Sequence, residues 1–199
     1  MELPEDRPEG NDDDEEAAAA PEGKDDDEEA AAARSLAQAI STALNDMEIE
    51  HETSPHPSLG EPNQVFRFGI QTESGNYGIR MEARPSAFLL LYTSPLNIPT
   101  DRRAAVAEYI CRVNYTLLQG CLQMDMRDGE VQYRIAQRNA GMTAPAVAIM
   151  FRIAVQMMNT YFPGIMAVTY TGRSPEQAYH DCEPSAMREE QENWRRSEQ

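Results

Sequence analysis

Lysine is almost absent from this sequence, because Lys24 is the one lysine among 17 basic residues and the others are arginines. Cysteine is also scarce. Three cysteines without paired spacing argue against a disulfide framework. No basic start followed by an apolar run is present, so no signal peptide is predicted. The longest apolar stretch, residues 144–162, contains Arg152, Gln156 and Asn159 and is too polar to span a bilayer. We therefore expect a soluble, cytoplasmic protein without a membrane partner.

Sequence signatures of catalysis are missing as well. The chain contains no G-x-S-x-G nucleophile motif, no phosphate loop and no G-x-G-x-x-G. His51 and His56 lie in a proline-rich linker, and a metal ion requires more ligands that converge on it. His180 is two residues from Cys182 and next to Asp181, but adjacent residues on a helix point about 100° apart. We therefore predict a protein that is not an enzyme and has no catalytic, cofactor or metal site.

The net charge of −17 is concentrated at one end of the chain. Residues 1–33 hold 15 acidic and 2 basic residues, a net of −13, which leaves −4 for the remainder. This segment contains a tandem duplication, PEGNDDDEEAAAA at residues 8–20 and PEGKDDDEEAAAA at residues 21–33. Clustered like charges with few large apolar residues predict a disordered acidic tail over residues 1–33. It is either a solubilising extension or a segment that binds a basic partner.

Nucleic-acid binding requires a basic surface. Two pairs of arginines are candidates for one, Arg102 with Arg103 and Arg134 with Arg138. The region after residue 33 is nevertheless net acidic, and the acidic tail would repel phosphate strongly. We therefore predict no nucleic-acid partner.

The apolar pattern predicts an α+β fold. A first helix over residues 28–46 is indicated by Leu36, Ile40 and Leu44. Residues 48–63 contain three prolines and indicate a loop. Alternation then predicts three strands, over residues 66–71, 77–82 and 87–94.

A second helix is expected to begin at a Thr100 cap and to end at Gly120. A hairpin with a two-residue Asp128-Gly129 turn should follow it. A third helix is expected from Thr143 and Pro145, with a kink or break at Pro163. Residues 165–170 fit either a helix or a strand. A capping box at residues 174–177 opens a last short helix. The sum is a mostly antiparallel five-stranded sheet packed with helices, in the order α-βββ-α-ββ-α.

Two segments carry a resemblance to a known family. YICRVNYTLLQGCLQMDMRDGEVQYRIAQRN, residues 109–139, is similar to the helix and hairpin of the YbjN family. NTYFPGIMAVTYTGRSPEQAY, residues 159–179, resembles the closing pattern of that family. The resemblance covers about residues 33–182 and implies a fold like that of class I type III secretion chaperones. It also implies a sensory-regulatory or peptide-binding role and brings no catalytic residues. We therefore expect a YbjN-like domain over residues 34–182 and a charged tail over residues 183–199.

Methionine is the residue type with most functional promise, because seven of the eleven methionines lie between residues 124 and 166. Methionine is flexible and polarisable, so methionine-rich surfaces suit varied apolar partners. We predict a homodimeric protein- or peptide-binding module that holds a partner segment in an apolar groove with arginines at its rim. A small-molecule sensor or an enzyme whose site is scattered in sequence is the alternative. Helix faces give these candidate partner-binding residues: Tyr109, Val113, Met150, Met157, Met158 and Phe162.

Overall fold

A six-stranded antiparallel sheet is the centre of the fold in the computed structural model, which describes residues 22–72, 75–183 and 196. In chain order the strands are β1 (Glu52–His56), β2 (Gly60–Thr72), β3 (Gly75–Ala83), β4 (Ala87–Asn97), β5 (Cys121–Met124) and β6 (Glu130–Arg138). They lie side by side in the order β1-β2-β3-β4-β6-β5. The helices are α1 (Glu22–Asp46), α2 (Arg103–Asn114), α3 (Ala144–Met166) and α4 (Pro175–Cys182). The predicted α+β class is confirmed.

The predicted strand count of five is wrong, because a sixth strand, β1, lies within the segment predicted to be a loop. Its sequence, ETSPH, has no alternation of apolar side chains. It is a strand because it pairs with β2, with Glu52 opposite Arg67 and Pro55 opposite Gln64. Proline cannot donate to a neighbouring strand and is tolerated at a sheet edge, which is where Pro55 lies.

The helices cover one face of the sheet and enclose the core with it. Helix α1 contacts β2 and β3, and α3 contacts β4, β6 and α1. Leu36, Ile40 and Leu44 of α1 are fully buried, as the four-residue spacing predicts. Helix α1 begins at Glu22, six residues before the predicted start, and its Ala33 is fully buried. Residues 1–21 of the predicted tail and nearly all of residues 184–199 lie outside the described part of the chain.

Helix α2 differs from its prediction at both ends. Thr100 is not its cap, because residues 99–102 form a turn and the residue before the helix is Arg102, which makes no side-chain cap. The helix ends at Asn114 rather than at Gly120. The Asn114 side-chain amide donates to the Leu122 carbonyl and accepts from the Leu122 N–H, both at 2.9 Å. Gly120 does have the left-handed conformation expected of it, with φ +70°, and a Cβ there would lie 2.8 Å from the Arg134 carbonyl oxygen.

The hairpin between β5 and β6 has a four-residue turn, so the predicted two-residue turn is wrong. The Asp125 N–H donates to the Glu130 carbonyl at 2.9 Å, and the Gly129 N–H donates to the Asp125 carbonyl at 2.7 Å. Two side chains shape the turn. Asp128 accepts from the Glu130 N–H at 2.9 Å, and the Arg127 guanidinium bonds the Asp125 carboxylate. These bonds from Arg127 lower the pKa of Asp125 to about 2.

The predictions for the last helices are partly confirmed. The hydroxyls of Thr143 and Ser174 cap α3 and α4 by accepting from the Ala146 and Gln177 N–H groups. The start of α3 near Thr143 and the cap at Ser174 are as predicted. Of the predicted kink or break at Pro163, the break is wrong, because α3 continues to Met166 and a π-helical turn, Ala167–Thr171, follows it. Residues 165–170 are therefore helical rather than extended.

Candidate functional site

The sheet has a second face that the described helices do not cover. In an antiparallel sheet, residues directly opposite each other on adjacent strands lie on the same face. Along β2, β3, β4 and β6 the members of the core cluster alternate with residues that point to the other side. Many of the latter are exposed, although Val65, Leu89 and Leu91 are buried. We call this side the arginine face after five arginines, two of them on β6 and one just past the end of β3: Arg67, Arg80, Arg84, Arg134 and Arg138.

One row of the arginine face crosses four strands. Arg67 pairs with Arg80, Arg80 pairs with Leu91, and Leu91 pairs with Arg134. With adjacent strands about 4.8 Å apart, this row spans about 14 Å. Leu91 is only 5 % exposed although it lies outside the core cluster. Its two cross-strand neighbours are arginines, whose long apolar stems can cover such a side chain while their guanidinium groups remain in water.

A buried carboxylate occupies one corner of the arginine face. Glu82 is 2 % exposed and is held by Arg80 Nε at 3.0 Å and by Arg84 Nη2 at 2.5 Å. His56 Nε2 lies 3.4 Å from the same carboxylate, and His56 Nδ1 accepts from the N–H groups of Ser58 and Leu59. The cluster fixes the turn after β1 to the end of β3. The Glu82 carboxylate is therefore already paired with basic side chains of the same protein.

The other arginines of this face make fewer hydrogen bonds and ion pairs with protein groups. Arg67 donates to Ser54 Oγ at 2.8 Å, which leaves further N–H groups of its guanidinium exposed. The guanidinium groups of Arg134 and Arg138 make no hydrogen bond or ion pair with another residue in the described ranges. The acidic side chains on this face or at its groove are Glu50, Glu52, Glu82 and Glu130. Five arginines against four glutamates leave an excess of one positive charge on this face, while the total charge of the chain is −17.

A groove of about 690 Å³ opens where β1 ends beside β2. Strand β1 reaches only as far as Glu52, opposite Arg67, so β2 has no outer neighbour beyond that point within the described residues. An unpaired strand edge presents free backbone N–H and C=O groups. The groove floor includes Gly78, where a Cβ would meet nothing within 4 Å. Arg67, Arg80 and Thr93 line it on the sheet side.

The six candidate residues from the sequence divide into two groups. Tyr109, Val113 and Met158 are 0 % exposed and Phe162 is 2 % exposed, so these side chains contact the protein's own core. The Tyr109 hydroxyl donates to the Tyr161 carbonyl at 2.8 Å. Burial raises the pKa of Tyr109 far above its ordinary value, so this hydroxyl is a permanent donor. In this conformation these four residues have no exposed side chain to offer a partner.

Met150 and Met157 are the two candidates that remain near the surface. Both are half-buried and pack against the core, and Ile149 beside them is 51 % exposed. A separate groove of about 670 Å³ lies between the end of α1 and α3. Met47, Ile49, Phe151 and Val155 provide its apolar lining, and Arg152 lies at its rim. Binding of a partner through the methionine-rich side of α3 stays a prediction.

The groups that resemble catalytic or metal-binding residues in sequence lie apart in the structure. His51 contacts the Ile49 carbonyl and Phe66, His56 belongs to the Glu82 cluster, and His180 lies on α4. Burial raises the pKa of the Cys182 thiol. Within residues 22–72 and 75–183, no group of three or more histidine, cysteine, aspartate or glutamate side chains is placed to hold a metal ion.

Comparison with other proteins leaves the chain without a family assignment. No protein-family model matches the sequence, and no curated protein matches it either. Among the helices in the described part of the chain, none is both long and apolar enough to cross a bilayer. The resemblance to the YbjN family stays a prediction.

Sequence reasoning did not find the arginine face, although one signal for it was present. Arg67, Arg80 and Arg134 each occupy a polar position in an alternating strand, so each is expected to point away from the core. The alternation does not show the register between strands. Without that register, the sequence does not place Arg67, Arg80 and Arg134, which are spread over 67 positions, in one row.

Proposed function

We propose that this chain is a non-enzymatic protein-binding module that holds an extended, acidic segment of a partner on its arginine face. The observation that carries the proposal is the row of Arg67, Arg80 and Arg134 on a sheet face that the described helices do not cover, in an otherwise acidic chain. Arginine presents a planar fork that pairs with a carboxylate through two hydrogen bonds. The sequence-based expectation of a peptide-binding module is thereby kept, with the binding surface moved from the helices to the sheet.

The groove beside β2 suits a segment in extended conformation. A peptide strand that continues the line of β1 can bond the free edge of β2 from Phe68 to Thr72. Its alternate side chains would lie over the arginine face, one of them above the space left by Gly78. Glu50 and Glu52 at the outer wall disfavour a second row of acidic side chains there. The fitting partner therefore carries its carboxylates on the side facing Arg67 and Arg80.

The first test is binding of a fluorescein-labelled peptide of alternating glutamate and valine, followed by fluorescence anisotropy. The double variant Arg67→Gln/Arg134→Gln should bind at least about tenfold more weakly, since each charge-assisted contact contributes about 1.5–3 kcal/mol and 1.4 kcal/mol is tenfold. The matched control is Arg34→Gln/Arg152→Gln, which changes the net charge equally but removes exposed arginines of α1 and α3. This control should lose less than about twofold, since exposed charges contribute little singly.

Three outcomes contradict the proposal. One is equal weakening by both double variants, which would mean that total charge and not the arginine face attracts the peptide. Another is equal affinity for a peptide with glutamine in place of glutamate. The third is tight binding of single-stranded oligonucleotides at salt concentrations that release the peptide, which would make the face a nucleic-acid surface.

We also propose that the module is a cytoplasmic homodimer, as expected from the sequence. The support is an exposed apolar pair directly before the edge strand β5, with Tyr115 91 % exposed and Leu118 99 % exposed. An isologous dimer buries the same patch on both subunits. Cys111, Cys121 and Cys182 are unpaired, which fits a reducing compartment.

A further inference from the structure

We propose that the arginine face has an occupant within the same chain, the first copy of the acidic repeat at residues 8–20, which competes with the partner segment. The inference rests on the proposed function, because it describes how binding at that surface is regulated. Asp12, Asp13, Asp14, Glu15 and Glu16 form a run of five carboxylates. The arginine face is the net positive surface already described on the sheet.

The early part of α1, which follows this run in sequence, lies at the end of the sheet that carries Arg84 and Arg138. The Asn139 side-chain amide donates to the Ala32 carbonyl at 2.9 Å and to the carbonyls of Arg84 and Pro85 at 3.2 and 3.1 Å. One side chain therefore joins the early part of α1 to the sheet corner where Arg84 lies. Arg138 is the residue directly before Asn139. Two arginines of the face thus lie beside the path by which the N-terminal segment enters the fold.

The length of chain is sufficient for the contact. Helix α1 extends ten residues before Ala32, to Glu22, which is about 15 Å at 1.5 Å per residue. Glu16 precedes Glu22 by six residues, and six extended residues reach about 20 Å. The run of carboxylates can therefore return from the start of α1 to the sheet corner. The residues before it can continue along the arginine row, which spans about 14 Å.

A tether makes a weak contact effective. A short flexible link holds a segment at an effective concentration in the millimolar range, so even a contact with a sub-millimolar dissociation constant would be largely occupied. A partner segment must then displace the acidic run, which lowers its apparent affinity. Unlike a free acidic ligand, the tethered run does not have to approach against the negative charge of the whole chain.

The tandem repeat supplies a matched control within the same protein. The test variant replaces Asp12, Asp13 and Asp14 by asparagine and Glu15 and Glu16 by glutamine. The control variant makes the same five replacements in the second copy, at residues 25–29, which belong to α1. Both variants change the net charge by the same amount and keep the full chain. Circular dichroism shows whether α1 is retained in each.

The readout is the affinity for the same glutamate–valine peptide, together with the NMR signals of the arginine Nε–H groups. The test variant should bind the peptide about three- to tenfold more tightly than the natural chain, and the control variant less than about twofold more tightly. The Nε–H signals of Arg67 and Arg134 should shift in the test variant and not in the control. Half-molar salt should produce the same shift in the natural chain, since screening dissolves the contact.

The outcomes separate this inference from the proposed function. If the natural chain binds the peptide and both five-residue variants bind it equally, the arginine face is a binding site without an internal occupant, and the inference is overturned. If the arginine signals shift in the test variant while no chain binds the peptide, the internal contact holds and the proposed function fails. If no chain binds the peptide and the arginine signals do not shift in the test variant, both the inference and the proposed function are wrong.

Discussion

The space available for a side chain differs sharply between two glycines, Gly164 and Gly78. Gly164 lies in α3 against the ring of Tyr109, where an added Cβ would be 2.1 Å from the hydroxyl oxygen and 2.4 Å from the ring carbon that carries it. Gly78 lies in β3 on the arginine face, where the same atom would meet nothing within 4 Å. The close approach at Gly164 is what allows Tyr109 to reach the Tyr161 carbonyl. It joins α2 to α3 through one buried hydrogen bond.

Replacing Gly164 by alanine should therefore destabilise the protein by about 1–3 kcal/mol, the usual range for an overpacked core. Alanine favours a helix over glycine by about 1 kcal/mol, so the clash must exceed that gain for the loss to appear. Urea unfolding followed by circular dichroism measures the change. The control is Gly78→Ala, which should not lower stability. A Gly164→Ala variant as stable as the natural chain would show that Tyr109 does not pack as described.

The residue scale is also where sequence reasoning about the site reached its limit. Tyr109, Val113, Met158 and Phe162 form apolar helix faces, and such a pattern does not distinguish a face that meets a partner from one that meets the sheet. Glu82 shows the same limit in reverse. In the sequence it is one more acidic residue of a strand, and only the fold brings Arg80, Arg84 and His56 around it.

At the scale of elements, Arg103 is the link between the start of α2 and the β5–β6 turn. Its guanidinium donates from Nε to the Ile98 carbonyl at 3.0 Å and from Nη1 to the carbonyls of Met126 and Arg127 at 3.0 and 3.1 Å. The Ile98 N–H in turn donates to the Gly129 carbonyl at 2.8 Å. The turn is therefore stabilised by Arg103 and Ile98 as well as by hydrogen bonds among its own residues.

Arg103→Ala should cost about 1.5–3 kcal/mol of unfolding free energy, since it removes charge-assisted hydrogen bonds to three carbonyl groups. Arg102→Ala is the matched control, because Arg102 is adjacent and exposed and its ion pair with Asp101 is 3.6 Å long. That control should change stability by less than about 0.5 kcal/mol. Chemical denaturation of both variants decides the matter, and equal stability of the two would contradict the role given to Arg103.

The elements that were predicted correctly carry their signals locally. The start of α3 near Thr143 and the cap at Ser174 are set by three or four neighbouring residues, and β2, β3 and β6 each show the alternation of apolar and polar residues that predicts a strand. Strand β1 and the start of α2 were mispredicted because partners distant in sequence determine them. Pro163 was mispredicted because tertiary packing on both sides retains a helix that proline weakens locally.

At the scale of the whole molecule, the exposed pair before β5 bears on the proposed dimer. Light scattering coupled to size exclusion should give twice the chain mass of 22.3 kDa. Tyr115→Ser/Leu118→Ser should shift the protein toward monomer, because it removes the apolar patch that would be shared. Tyr170→Ser is the control, since Tyr170 is 57 % exposed but lies on the π-helical turn. A natural chain that elutes as a monomer at high micromolar concentration contradicts the dimer.

The bond from Asn139 to Ala32 spans 107 residues of sequence, and it has a consequence for the order of events during synthesis. Helix α1 leaves the ribosome before its packing partners β2, β3 and α3, which are all made later. Its apolar side, with Leu36, Ile40 and Leu44, stays exposed until most of the chain has been synthesised. Asp26, Asp27, Glu28 and Glu29 near the start of the helix are exposed. We expect their charges to keep this segment hydrated and to discourage association between nascent chains.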